Sequence, residues 1–166
     1  TTGRPKGVIH THASLLAGGA NTCSAHHLSN SDRALCVLPL CHINGQVVTV
    51  MAPLVSGSSV VMPRKFSTQR FWSWVVKEDC TWFSVVPTMI SYLLATEEAT
   101  QHIAESQLSN VRFGRCASAP LAPAVHKAFI ARFGIPMVET MGITETAAQI
   151  LSNPLDPTQQ KIGSPG

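Results

Sequence analysis

Nowhere in these 166 residues is there an apolar run able to cross a bilayer. The longest greasy stretch, Val47 to Met62, is broken by Pro53, Gly57 and the serines Ser56, Ser58 and Ser59. It falls short of the ~20 apolar residues that a spanning helix needs, and reads instead as a buried helix, a turn and a buried strand. Cysteines are few and odd in number. Cys23, Cys36, Cys41, Cys80 and Cys116 show no C-x-x-C spacing, which argues against a disulfide framework and a structural zinc site. The expected setting is a reducing, cytoplasmic one. Charge is scarce too: twelve Lys and Arg against nine Asp and Glu give a net +3, with no basic block. That excludes a nucleic-acid stripe and suits a small anionic partner better. There is no internal repeat, no initiator Met and no signal-like start. Because the chain opens on Thr1-Thr2-Gly3 and closes on Gly163-Ser164-Pro165-Gly166, inside turn chemistry at both ends, it is expected to be a fragment truncated at both ends.

What is present has the rhythm of an α/β fold, with hydrophobic residues at 45%. Short apolar runs bounded by Pro, Gly or polar residues predict strands at Ala34–Leu38, Ser59–Met62, Trp82–Val86, Val111–Cys116 and Met137–Thr140, buried on both faces. Four helices are expected between them. One follows Ser67 as its cap, with a Phe66–Phe71 staple and Phe71, Trp74 and Val75 on its buried face. A second begins near Pro123, with Val125, Phe129 and Phe133 on one stripe, and stops at Gly134. Thr11–Cys23, weakened by Gly18-Gly19, and Asn44–Val55 are the others. Glu97–Asn110 is polar enough to be a surface connection.

The opening string Thr1-Thr2-Gly3-Arg4-Pro5-Lys6-Gly7 carries the strongest chemical signal. Its two glycines let backbone N–H groups converge on one anion, and two hydroxyls and an ammonium add the donors that phosphate oxygens need. Walker spacing is absent. Six fixed positions recur by chance on the order of 10⁻⁸ per window, so accident is a poor explanation for the string.

This loop resembles the signature of the adenylate-forming superfamily, which includes acyl-CoA synthetases. Two further strings fall in that family's order: Ala117-Ser118-Ala119-Pro120-Leu121 is similar to the small-residue loop bordering the adenine, and Met141-Gly142-Ile143-Thr144-Glu145 to the aromatic-Gly-x-Thr-Glu signature. The resemblance implies a mixed sheet flanked by helices, residues 1–166 being part of the large N-terminal domain. The upstream strand, the downstream ribose element, the hinge and the C-terminal domain with its lysine are then missing. It implies ATP, Mg²⁺ and coenzyme A: a carboxylic acid attacks the α-phosphate of ATP to give an acyl-adenylate, and the thiol then displaces AMP. By motif, Thr1, Thr2, Gly3 and Lys6 would embrace the β- and γ-phosphates, and Thr144 would touch the α-phosphate. Glu145 would hold the metal, with Thr2 beside it. Ser118, Ala119, Pro120, Met141 and Gly142 would border the adenine, Met141 standing where relatives place an aromatic ring.

His42, after Leu38-Pro39-Leu40-Cys41, falls where relatives bring a histidine or aromatic to the junction of acyl pocket and thiol channel. It gates the pocket, contacts the substrate, or is a turn histidine; the sequence leaves these open. Cys41 has no base partner for a nucleophile's role. His10, His12, His26 and His27 lack ligand company and read as solvated or capping histidines. Val85-Val86-Pro87-Thr88 resembles the strand-to-helix turn lining the acyl pocket, while Trp82, Phe83, Met89 and Ile90 read as ordinary core. Ser152-Asn153-Pro154-Leu155 is similar to the oxalate and fatty acyl–CoA ligase branch. An amino-acid adenylation domain and a non-catalytic nucleotide-binding module are the alternatives, although no acidic residue offers itself for a substrate ammonium. The isolated piece is expected not to form acyl-adenylate at a useful rate.

Overall fold

The computed structural model describes residues 3–96 and 103–166. Helix α1, His12–His26, starts where it does because Thr11 and Ser14 cap each other. Thr11 Oγ1 accepts the Ser14 N–H and Ser14 Oγ accepts the Thr11 N–H, both at 3.1 Å. The Gly18-Gly19 pair that weakens this helix in isolation is required by its packing. A Cβ at Gly18 would stand 2.9 Å from the Ala147 carbonyl oxygen and from Val47 Cγ1.

The strands are β1 Arg33–Cys36, β2 Ser59–Val61, β3 Trp82–Val85, β4 Phe113–Cys116, β5 Met137–Gly142 and β6 Gln149–Ser152. They form one sheet in the order β2-β1-β3-β4-β5-β6, with β6 alone antiparallel. The first five fall on the five predicted runs; β6 was not anticipated. Between them come α2 Ala52–Ser56, α3 Thr68–Lys77, α4 Pro87–Ala95 and α5 Pro123–Phe133.

Several local expectations need correction. The helix expected over Asn44–Val55 is π-helical from Asn44 to Met51 and becomes α2 only afterwards. Thr49 Oγ1 follows that wider winding by donating to the Asn44 carbonyl five residues back, at 2.7 Å. Ser67 does not cap α3; its hydroxyl donates to Gln69 Oε1 at 3.3 Å. The Phe66–Phe71 staple does form, edge to face with ring centroids 6.0 Å apart. On α3 the buried trio is Phe71, Trp72 and Val75, with Trp74 half-buried, and on α5 His126 replaces Val125 beside Phe129 and Phe133. Gly134 ends α5 at φ 66, as expected. Of the expected surface connection, residues 97–102 lie outside the described residues, while Leu108 is buried.

Three layers result. Helices α3, α4 and α5 cover one face of the sheet with an aromatic core: Trp72 lies 4.5 Å from Phe133, Phe71 5.1 Å from Phe83, and Phe129 4.7 Å from Phe133. Helix α1 and the π-helical segment cover the other face over Ala34, Trp82, Phe113 and Val138. Each fully buried large side chain contributes roughly 1.5–3 kcal/mol. Asp32 and Arg112, paired at 2.6 Å, tie the end of α1 to the foot of β4, since Arg112 also donates to the carbonyls of His26 and His27. Among the described residues no helix is long and apolar enough to cross a membrane.

After β1 the chain builds β2 on one side and then returns to lay β3 on the other, so the winding reverses between β1 and β3. In parallel α/β sheets, ligands bind outside the carboxyl ends of the strands at such a reversal.

Candidate active site

Two adjoining cavities open at that edge. The larger, about 560 Å³, is lined by His42 and Asn44 after β1, Met89 at the start of α4, Ser118 after β4, and Thr144 and Glu145 after β5. The smaller, about 400 Å³, is lined by Ser118, Ala119 and Pro120 after β4 and by Glu139, Met141 and Gly142 on β5. Ser118, Gly142 and Ile143 belong to both.

The local backbone explains how these side chains are delivered. The β5–β6 register slips at Met141/Gly142, and a Cβ at Gly142 would fall 2.4 Å from the Ala148 carbonyl oxygen, so β6 can approach only because residue 142 is glycine. The strand then breaks into a short 3₁₀ turn, Thr144–Thr146, held by Thr146 Oγ1 donating to the carbonyls of Ile143 and Ala148 at 3.0 Å each. That turn sets Thr144 and Glu145 at the cavity edge. The Glu145 carboxylate is exposed and makes no ion pair among the described residues. Ser118 stands at φ 75, a conformation costly for a non-glycine residue and concentrated at functional sites.

The opening loop is placed differently. Thr1 and Thr2 lie outside the described residues. Gly3, at φ 94, and Lys6 are exposed and line neither cavity. What joins this segment to the site is His10, whose Nε2 lies 2.7 Å from the Thr144 carbonyl oxygen, the ring donating to the acceptor. His10 is therefore a strap to the Thr-Glu turn and not a solvated histidine. His26 departs from its reading as well. It is fully buried against Phe113, and burial, reinforced by the charge of Arg115, pushes its pKa down to about 3.

The structure thus brings His42, Ser118, Gly142, Thr144 and Glu145 around one cavity, and Ser118, Ala119, Pro120, Met141 and Gly142 around the other. Trp82, Phe83 and Ile90 are core, as expected, whereas Met89 lines the larger cavity. Cys116 borders the smaller cavity, but burial, helped by Glu139, pushes its thiol up to about 12.

Sequence reasoning passed over three site residues. Glu139 Oε1 accepts from His126 Nδ1 and from the Gly163 N–H, each at 2.8 Å, fastening the end of the described chain to the smaller cavity. Asn44 and Arg115 form a buried pair. Arg115 Nη1 donates to Asn44 Oδ1 at 2.6 Å and to Ser84 Oγ at 3.1 Å, and Nη2 reaches Gln149 Oε1 at 3.4 Å. Among the described residues the Arg115 Nε has no hydrogen-bond partner. Burial pushes the Arg115 pKa down to about 9, which leaves it a cation at neutral pH.

A mostly parallel sheet with a crevice at its reversal, bordered by a small-residue loop and a Thr-Glu turn, defines an α/β domain with a candidate small-molecule site. The chain belongs to the AMP-binding enzyme family, whose profile matches residues 1–166. It is 54% identical over 166 residues to the sulfoacetate–CoA ligase of Cupriavidus necator, covering 100% of this chain and 31% of that protein. It is 32% identical to the oxalate–CoA ligase of Saccharomyces cerevisiae, covering 100% and 30%. The solved structure of the Bacillus subtilis O-succinylbenzoate coenzyme A synthetase in complex with ATP and magnesium ion superposes with a TM-score of 0.83 at 26% identity, covering 99% of this chain and 33% of that one. The chain therefore spans about 30% of the length of the curated relatives it matches.

Proposed function

We propose that the whole protein is an acid–thiol ligase. It joins a carboxylate oxygen to the α-phosphorus of ATP with loss of pyrophosphate. A thiol sulfur, that of coenzyme A, then bonds to the acyl carbon as the bond to AMP breaks and the thiol proton is released. The observation that carries this reading is the meeting of His42, Thr144 and Glu145 around one cavity whose wall, at Ser118 and Gly142, is shared with a small-residue cavity. The names of the sulfoacetate and oxalate ligases support the coenzyme A branch.

The residues present fit the nucleotide and its metal. Ala119 and Pro120 border the smaller cavity with little side chain to fill it, and the exposed thioether of Met141 offers a soft surface for a purine. Glu145 is an unpaired carboxylate beside a hydroxyl, and Mg²⁺ favours one or two carboxylates with phosphate oxygens as co-ligands. When bound, that ion neutralises phosphate charge. Thr144 would donate to the phosphate nearest the acid, Glu145 and Thr2 would hold the metal, and Thr1, Thr2, Gly3 and Lys6 would bind the outer phosphates, the loop swinging toward the cavity that Gly3 and Lys6 do not line. His10, by holding the Thr144 carbonyl, sets the distance between loop and turn. His42 orients the acid at the junction with the thiol channel. Among the described residues the one acid lining the larger cavity is Glu145, which is assigned to the metal, and this weighs against an amino-acid loader.

The test is AMP release by the whole protein over a panel of oxalate, malonate, sulfoacetate, acetate, propionate and longer fatty acids. Acid-dependent AMP is expected, and Glu145→Gln should reduce it by about 10²–10³-fold. ATP binding with no AMP from any acid would leave a non-catalytic nucleotide module instead.

A further inference from the structure

We propose that Arg115, acting through Asn44, makes the larger cavity select acids that carry a second anionic group, a carboxylate or a sulfonate. This rests on the ligase reading and names its substrate class. Arg115 is fully buried on β4, and among the described residues it forms no ion pair. Its neighbours Asn44, Ser84 and Gln149 are all neutral. A buried cation with no counter-charge is costly, and an anion drawn close to it relieves that cost.

The amide of Asn44 gives this charge a direction. Its Oδ1 accepts from both Arg115 Nη1 and Ser84 Oγ, at 2.6 and 3.0 Å, and turning the amide over would set its NH₂ against the guanidinium, which can only donate. The Nδ2 group must then point the other way, where one N–H makes a long 3.4 Å bond to Ser118 Oγ. Asn44 and Ser118 both line the larger cavity. The wall thus presents an amide N–H polarised by a guanidinium behind it, together with a hydroxyl. Both can donate, and an anionic oxygen is what they fit. Among the described residues the one carboxylate on this cavity, Glu145, sits on the Thr-Glu turn and is assigned to the metal. Arg115 does not touch the substrate in this scheme; it is a positioning residue that fixes the amide and supplies the field.

The experiment compares dianionic with monoanionic acids of matched length in the whole protein, using the panel above. The wild-type kcat/KM is expected to favour malonate or sulfoacetate over propionate by at least about tenfold. Asn44→Asp, isosteric and placing a carboxylate against Arg115, should erase that preference. Arg115→Met should do the same, while Arg115→Lys should keep part of it. The loss should lie in the KM for the acid, with the KM for ATP within about twofold of wild type, a split that a merely structural role would not produce. A wild-type preference for monoanions, or an unchanged ratio in both Asn44→Asp and Arg115→Met, overturns the proposal and leaves the ligase reading standing. If no acid yields AMP, calorimetric titration with malonate decides separately. Binding that Asn44→Asp abolishes supports the anion site, and no binding to wild type removes it.

Discussion

The two faces of the sheet are built differently. Against α3, α4 and α5 the core is mainly apolar and rich in rings, with Phe71, Trp72, Phe83 and Phe129 fully buried and His126–Glu139 as its buried ion pair. Against α1 and the π-helical segment the buried set also holds Thr22, His26, Asn44, Thr49, Ser84 and Arg115. The aromatic face holds the sheet together. The opposite face gives up apolar contact to hold polar groups in fixed directions, and it lies behind the larger cavity through Asn44. Stability and selectivity are thus drawn from different sides of one sheet.

The sharpest way to break this contrast is to remove a ring. Phe129→Ala in the whole protein should cost about 3–5 kcal/mol in equilibrium urea unfolding. A loss below about 1 kcal/mol would mean that the aromatic layer does not carry the stability. Acid comes next. The folded pKa of His26, about 3, lies below its ordinary 6.5, so the unfolded chain takes up the proton first. The stabilisation is complete above pH ~6.5 and is lost as pH falls toward ~3, at about 1.4 kcal/mol per unit. Between pH 6.5 and 4.5 the wild type should lose about 2–3 kcal/mol more than His26→Leu, read from urea midpoints; parallel slopes would show that no neutral buried histidine is there. The smallest effect is expected at Arg115. Replacing it by Met should shift stability by no more than about 1.5 kcal/mol in either direction, because removing an uncompensated charge offsets the acceptors left unpaired. A large loss would make Arg115 a structural keystone like the rings opposite.

That contrast also explains what could be read in advance. The five parallel strands were legible because a strand covered on both faces is a short apolar run between breakers, as at Trp82–Val85. Strand β6 was not, since Ile150 and Leu151 are exposed on an antiparallel edge and no run marks Gln149–Ser152. Helix α4 was implied only by the resemblance of Val85–Thr88 to a strand-to-helix turn, because its largely apolar residues, Met89 to Leu94, show no clear polar face. The π winding of Asn44–Met51 leaves no one-residue insertion to notice, because its extra width is a backbone property. Of the site, the Thr144–Glu145 turn and the Ser118–Pro120 loop were legible as strings. Asn44 and Arg115 were not, because no local pattern joins residues 71 positions apart. A signal existed nonetheless: an arginine inside a strand expected to be buried on both faces must find a partner somewhere.

Ser118, Gly142 and Ile143 line both cavities, and a Cβ at Gly142 would collide with the Ala148 carbonyl oxygen, so no side chain can be added at that shared position. Two tenants of such adjoining rooms would touch the same three residues. Whatever factor the first tenant imposes on the affinity of the second, the second returns in equal measure, so the order of filling leaves the final occupancy unchanged.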